Sequence, residues 1–238
     1  MNSNRISLNQ MITDLLQIDD VSWGYYAFTR ELLRDRISDN QKREMILRSI
    51  QCGEAYADRV IQETGRDTPR GIAEYFQLRV ESSNLTMTGK RALFAQYTPP
   101  DLIEILSEPI EKYRAVLAGL SQEEAALLPK AEELSDILLG HELFHFLEDR
   151  HENEIYTRTE KILLWRIFGF RNYSSISVLG EIAGMAFSKK LNHLPYSPFL
   201  LDVLLYFGYN PEGAKSIYQS VIDIGVEGLG EKCLKANH

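Results

Sequence analysis

Cysteine is scarce in this 238-residue chain, which holds only Cys52 and Cys233. Two isolated thiols exclude a disulfide framework and any Cys-x-x-Cys metal or redox pair. Long apolar runs are missing as well. None approaches the roughly 18 residues that a membrane span needs. The polar start, Met1-Asn2-Ser3-Asn4-Arg5, lacks the apolar core of a secretory leader. A reduced, cytoplasmic protein is expected. Positive charge is also in deficit, since 26 Lys and Arg against 34 Asp and Glu give a net charge of −8. That balance carries no basic footprint for nucleic acid or an anionic membrane, so a protein or peptide partner is expected. Internal repeats, low-complexity stretches and a helix-turn-helix are absent too.

What is present reads as one α+β unit with a helical extension. Residues 8–50 read as helical, with apolar positions such as Met11, Ile12, Leu15 and Leu16 at three-to-four spacing, and residues 1–50 form an expected helical N-terminal extension to a domain spanning 51–238. A helix is expected from Gly53 to Thr64, ended by Gly65, with a short one from Pro69 to Tyr75. Residues 76–106 change character. Phe76, Leu78 and Val80 alternate with polar neighbours, and Arg91–Thr98 and Leu102–Leu106 are short, branched or aromatic, and bounded by Gly89 and Pro99-Pro100. A sheet of about three strands follows, with one of them at an edge beside the prolines. Beyond Glu108 the pattern is helical. Ser121-Gln122-Glu123-Glu124 is a capping box and Pro129 opens another helix. Further helices are expected over 153–169, 174–192, 198–208 and 211–224.

The most informative stretch is His141-Glu142-Leu143-Phe144-His145. Imidazoles four apart on a helix share one face about 6 Å apart along the axis, so both can reach one metal ion. Glu142 projects beside them, where a carboxylate can serve as general base toward a metal-activated water. The pattern is expected by chance in about one chain in a hundred of this composition. Leu134, Ile137, Leu138, His145 and Glu148 all fall within about 60° of His141 on a helical wheel, which puts the histidines in an apolar stripe.

A catalytic zinc takes a third protein ligand. His151 completes the spacing found in metzincins, but no glycine between His145 and His151 turns the chain back. On a continuing helix it points about 120° away from His145. Glu181 is the better candidate, on a second helix whose same face carries Ser177, Gly184 and Ser188, small residues that let a neighbouring helix approach. Glu148 fits a histidine-orienting role or a salt bridge with an arginine. His193, Tyr196, Tyr156 and Tyr173 are candidate oxyanion donors.

These parts, in this order, resemble the ImmA/IrrE family of small intracellular zinc metallopeptidases. The resemblance runs over roughly residues 50–195, from Ala55-Tyr56-Ala57 through Thr68-Pro69-Arg70-Gly71-Ile72-Ala73, Leu78-Arg79-Val80 and the histidine motif to Glu181-Ile182-Ala183-Gly184-Met185-Ala186-Phe187. Phe144 stands where the family usually has glycine, and the stretch from His145 to Glu181 is long. The resemblance implies a zincin-like fold, Zn2+ held by His141, His145 and Glu181, Glu142 as general base, and a protein substrate. Two rivals are a regulatory protein that keeps such a metal site without cutting, and a di-iron helical protein built on Glu142-Leu143-Phe144-His145 and Glu148-Asp149-Arg150-His151.

Overall fold

The computed structural model describes residues 6–84 and 94–235, with side chains as far as residue 225. Helices α1 (Leu8–Leu15) and α2 (Asp20–Phe28) open on Ser7 and Asp19, whose side chains accept from backbone N–H groups of the first turn. Helix α3 (Asp39–Thr64) begins at a capping box of Ser38 and Gln41 and ends on Gly65 in the left-handed region, φ 65°. The helix expected from Gly53 is therefore the second half of a 26-residue helix. The expected boundary at residue 50 falls inside it. Thr68 caps α4 (Pro69–Tyr75).

Strand β1 (Arg79–Ser83) starts later than the alternation of Phe76, Leu78 and Val80 predicts, because Phe76 ends α4 and Gln77 turns at φ 57°. Strands β2 (Ala95–Thr98) and β3 (Leu102–Leu106) follow. The sheet order is β1-β3-β2, with β1 parallel and β2 antiparallel to β3. The expected strand start at Arg91 and its Gly89 boundary lie outside the described residues.

Helices α5 (Ser107–Ala118), α6 (Gln122–Ala125) and α7 (Ala131–Arg150) come next. The Ser121–Glu124 capping box serves the single turn of α6, and Pro129 sits two residues before α7. After the short α8 (Tyr156–Thr159), strands β4 (Lys161–Ile167) and β5 (Phe170–Ser175) form an antiparallel hairpin. This corrects the helix expected over 153–169. An apolar run such as Ile162–Phe168 does not separate strand from buried helix by period. Phe168 and Gly169, both at positive φ, close a tight two-residue turn. Helices α9 (Val178–Leu191), α10 (Phe199–Phe207) and α11 (Pro211–Lys235) complete the chain.

Two apolar cores result. One joins α1, α2, α10 and α11 to the first half of α7 through Met11, Leu15, Trp23, Leu134, Leu200 and Leu204. Trp23 stacks on Phe199 at 5.9 Å. The other packs α3, α4 and the sheet on the second half of α7 through Val60, Ile72, Ile103, Leu143 and Phe144. Helix α9 contributes to both, with Leu179 and Ile182 in the first and Ala183 and Phe187 in the second. Residues before position 50 thus share a core with the helices beyond it. Among the described residues, no helix is long and apolar enough to cross a membrane.

Candidate metal centre

Helices α7 and α9 meet along a seam of small residues. A Cβ on Gly184 would stand 3.0 Å from the His141 ring, and one on Gly180 would stand 2.8 Å from the Glu148 carboxylate. Glycine at these two positions leaves room for His141 and Glu148 between the helices. Ser188 Oγ donates to the Ile137 carbonyl at 2.6 Å, pinning the seam one turn further on. The N-terminal end of α9 is held from elsewhere: buried Glu31 accepts from Ser177 Oγ at 3.1 Å and from Val178 N at 3.3 Å. A carboxylate there satisfies an otherwise orphaned N–H and suits the positive helix end.

This packing brings His141, His145 and Glu181 together. The two Nε2 atoms lie 3.1 Å apart. Glu181 Oε2 is 3.4 Å from His141 Nε2, and Oε1 is 3.8 Å from His145 Nε2. One ligand atom from each residue falls within a 4.8 Å group. Donors bound at about 2.0–2.1 Å in a tetrahedron stand roughly 3.3 Å from one another, so the spacing fits a single ion of zinc size. The histidines are largely covered, whereas the Glu181 side chain is 51% exposed and opens the group to solvent.

Electrostatics tie the three further. Burial alone would lower the His141 pKa, but the Glu181 carboxylate outweighs it and raises it above the ordinary imidazole range. Burial conversely pushes Glu181 up, and His141 overrides that and holds it below the usual carboxylate range. Without a metal the pair is thus an ion pair. His145 is oriented from behind, its Nδ1 standing 2.8 Å from Glu148 Oε2. An Nδ1–H donating to that carboxylate leaves the Nε2 lone pair free for an ion. Glu148 is fixed in turn by the Thr157 hydroxyl, with the Arg158 Nε 3.7 Å away.

Glu142 is buried, and its Oε2 accepts from Tyr97 N at 2.7 Å. Leu106 N donates to Phe94 O, so by alternation Ala95 and Tyr97 turn their backbone groups away from β3. The Glu142 carboxylate therefore sits against the edge of β2 that faces away from β3 and holds one of its N–H groups. Strand β3 is central in the sheet, between β1 and β2. It has no free edge to offer.

His151 ends α7 and is drawn away from the group. Its Nδ1 stands 2.6 Å from Glu154 Oε1 and its ring lies edge-on to Tyr56. Of the four expected oxyanion donors, none makes a described hydrogen bond or ring contact with the three residues. Tyr173 lies on the hairpin, and Arg48 stacks over the ring of Tyr156. The His193 side chain lines an open pocket with Glu54 and Lys190. Two residues near the group have no sequence signal. Burial pushes Asp202, on α10, up to about 6, while Arg30 and His141 pull it down. Arg30 lies over the Tyr26 ring. Both reach the group only through tertiary folding, beyond any local spacing rule.

No family model, curated protein or solved structure matches the chain.

Proposed function

We propose that the chain is a zinc-dependent metallopeptidase of zincin type that hydrolyses peptide bonds in a protein substrate. The observation that carries this reading is the convergence of His141, His145 and Glu181 at 3.1–3.8 Å, beside a buried glutamate that follows the first histidine. The donor set fits the ion: two imidazoles, one carboxylate and a solvent-facing side. The resemblance to the ImmA/IrrE family supports the same assignment. Bound there, zinc polarises a scissile carbonyl and lowers the pKa of water toward about 7.

His141, His145 and Glu181 hold the ion, and Glu148 fixes the ring of His145. Glu142 manages the proton. As the water oxygen bonds to the carbonyl carbon, Glu142 takes the proton, and it delivers that proton to the departing nitrogen as the C–N bond breaks. The outer edge of β2 lies next to Glu142, pairs with no other strand among the described residues, and suits an extended substrate paired by its main chain.

A second reading is favoured by one contact. Glu142 is bound to Tyr97 N, so the carboxylate also ties α7 to the sheet, as it would in a regulatory protein that keeps the metal without cutting. Glu142→Gln separates the two. The glutamine carbonyl oxygen still accepts from Tyr97 N, so the fold and about one zinc per chain are expected to remain, while hydrolysis of an unfolded protein falls about 10²–10⁴-fold. Metal content by mass spectrometry and cleavage with and without chelator are the measurements. Chelator-sensitive cleavage unchanged in Glu142→Gln would rule out the assigned base. Stably folded protein that takes up no zinc would remove the metal centre itself.

A further inference from the structure

The β4–β5 hairpin carries the largest exposed apolar side chains together. Phe168 is 98% exposed at the turn and Phe170 is 75% exposed, with Leu163, Trp165, Ile167 and Tyr173 also open to solvent. Cross-strand pairing sorts them. Ile167 pairs with Phe170, and Trp165 with Asn172, on one face. Arg166 pairs with Arg171 on the other. Between residues 161 and 175 the sequence holds Lys161, Arg166 and Arg171 and no carboxylate, within a chain of net charge −8.

The arginine pair is the telling feature. Like charges directly opposite on a hairpin repel. Neither Arg166 nor Arg171 makes an ion pair with any described residue. A two-stranded ribbon with little cover is marginal by itself, so this pair stands out as a place for an external anion. The apolar groups beside it occupy the apex and both faces, since Leu163 pairs with Tyr173, two residues along from Arg171 and so on the arginine side. A folded partner would need a pocket shaped to enclose that apex, whereas a fluid lipid surface covers it without one. Aromatic and aliphatic tips buried about 5–10 Å, with arginines reaching back to phosphates, are the pattern of interfacial membrane binding.

We infer that this hairpin docks the protein onto an anionic lipid bilayer, with Trp165, Ile167, Phe168 and Phe170 entering the headgroup–acyl boundary and Arg166 and Arg171 meeting lipid phosphates. The overall acidity of the chain argues against such a surface only until the charge is mapped onto the fold. The inference stands apart from the metal centre.

Flotation of the full chain with phosphatidylcholine vesicles, with and without phosphatidylglycerol, tests it. Trp23 is fully buried and Trp165 is the only other tryptophan, so a blue shift of emission on vesicle addition reports the hairpin. Binding and the shift are expected with phosphatidylglycerol and to weaken with salt. Arg166→Gln with Arg171→Gln should weaken binding about 30-fold, and Phe168→Ser with Phe170→Ser about tenfold or more. Chelator should leave binding unchanged. Equal binding to neutral and anionic vesicles, or wild-type binding by the serine variant, would overturn the inference. So would a Trp165 shift that follows protein concentration without lipid, which marks a second copy as the occupant, or one driven by polyglutamate and not by vesicles.

Discussion

Helices α7 and α9 and the β4–β5 hairpin are adjacent in the chain, similarly rich in apolar residues, and opposite in how those residues are used. In the helix pair, glycines draw two backbones together, and the enclosed polar groups His145, Glu148 and Ser188 have assigned partners. In the hairpin the apolar groups toward the tip face solvent and its central cations oppose each other. Apolar content therefore does not distinguish a core from an exposed surface. What differs is the cover: in the helix pair glycines let a second backbone close over the side chains, whereas the hairpin tip has no facing element among the described residues.

The sharpest way to break the helix side of this contrast is at the α3–α9 crossing. A Cβ on Gly53 would stand 2.1 Å from the Ala183 carbonyl oxygen and 3.0 Å from Phe187 N, all backbone atoms. Helix propensity alone would make Gly53→Ala stabilising by up to about 1 kcal/mol. The backbone clash is larger, and a net loss of about 1–3 kcal/mol is expected in chemical denaturation. Because α9 carries Glu181, zinc affinity should fall in the same variant. A stabilised Gly53→Ala protein would mean that the helices are free to separate.

Next in size is Glu148→Ala. Removing the carboxylate behind His145 leaves the ring free to turn and is expected to weaken zinc binding about 10–100-fold, measured by competition with a chromophoric chelator. Glu148→Gln should recover part of that loss, since its side-chain oxygen still accepts from Nδ1–H.

Legibility in the sequence follows the same division. His141, Glu142 and His145 could be read because helical spacing alone puts two imidazoles on one face. Glu181 could be read because Gly184 marked the face along which another helix comes close. Gly180, which makes room for Glu148, belongs to the same signal and was readable from it. The hairpin was not readable as such, since Ile162–Phe168 fits a buried helix as well as a strand. Its excess of cations was readable, however, and is hidden only by summing charge over the whole chain. Glu31 capping α9 and Tyr97 N on Glu142 join residues 147 and 45 positions apart by hydrogen bonds, and Asp202 comes near His141 from another helix. Nothing local encodes such partners.

A smaller effect is expected from pH. His141 is raised from 6.5 to about 9 by Glu181, so the metal-free protein carries that proton at neutral pH. A raised pKa stabilises the metal-free fold fully below 6.5, and that contribution is lost as pH rises through about 9. Glu181, lowered from 4.5 to about 2, contributes above 4.5 and loses its contribution only as pH falls through about 2. Zinc needs the deprotonated imidazole. Its affinity should therefore rise up to about tenfold per pH unit from neutrality and level off above about 9. Calorimetry in two buffers of different ionisation enthalpy should find about one proton released per zinc at pH 7. No release would show that the ion pair is not formed.

The smallest effect falls on the hairpin, and its smallness is the point. Phe168 is almost wholly exposed and buries nothing in the folded chain, so Phe168→Ser removes no packed contact. Its φ of 47° is a strained position for an aromatic residue and no worse for serine. The change in stability should lie within about 0.5 kcal/mol of zero, as for other surface sites, and zinc binding should not move. A loss comparable to that of Gly53→Ala would mean that the hairpin tip packs against the body of the protein, and the contrast between a buried seam and an open docking surface would fail.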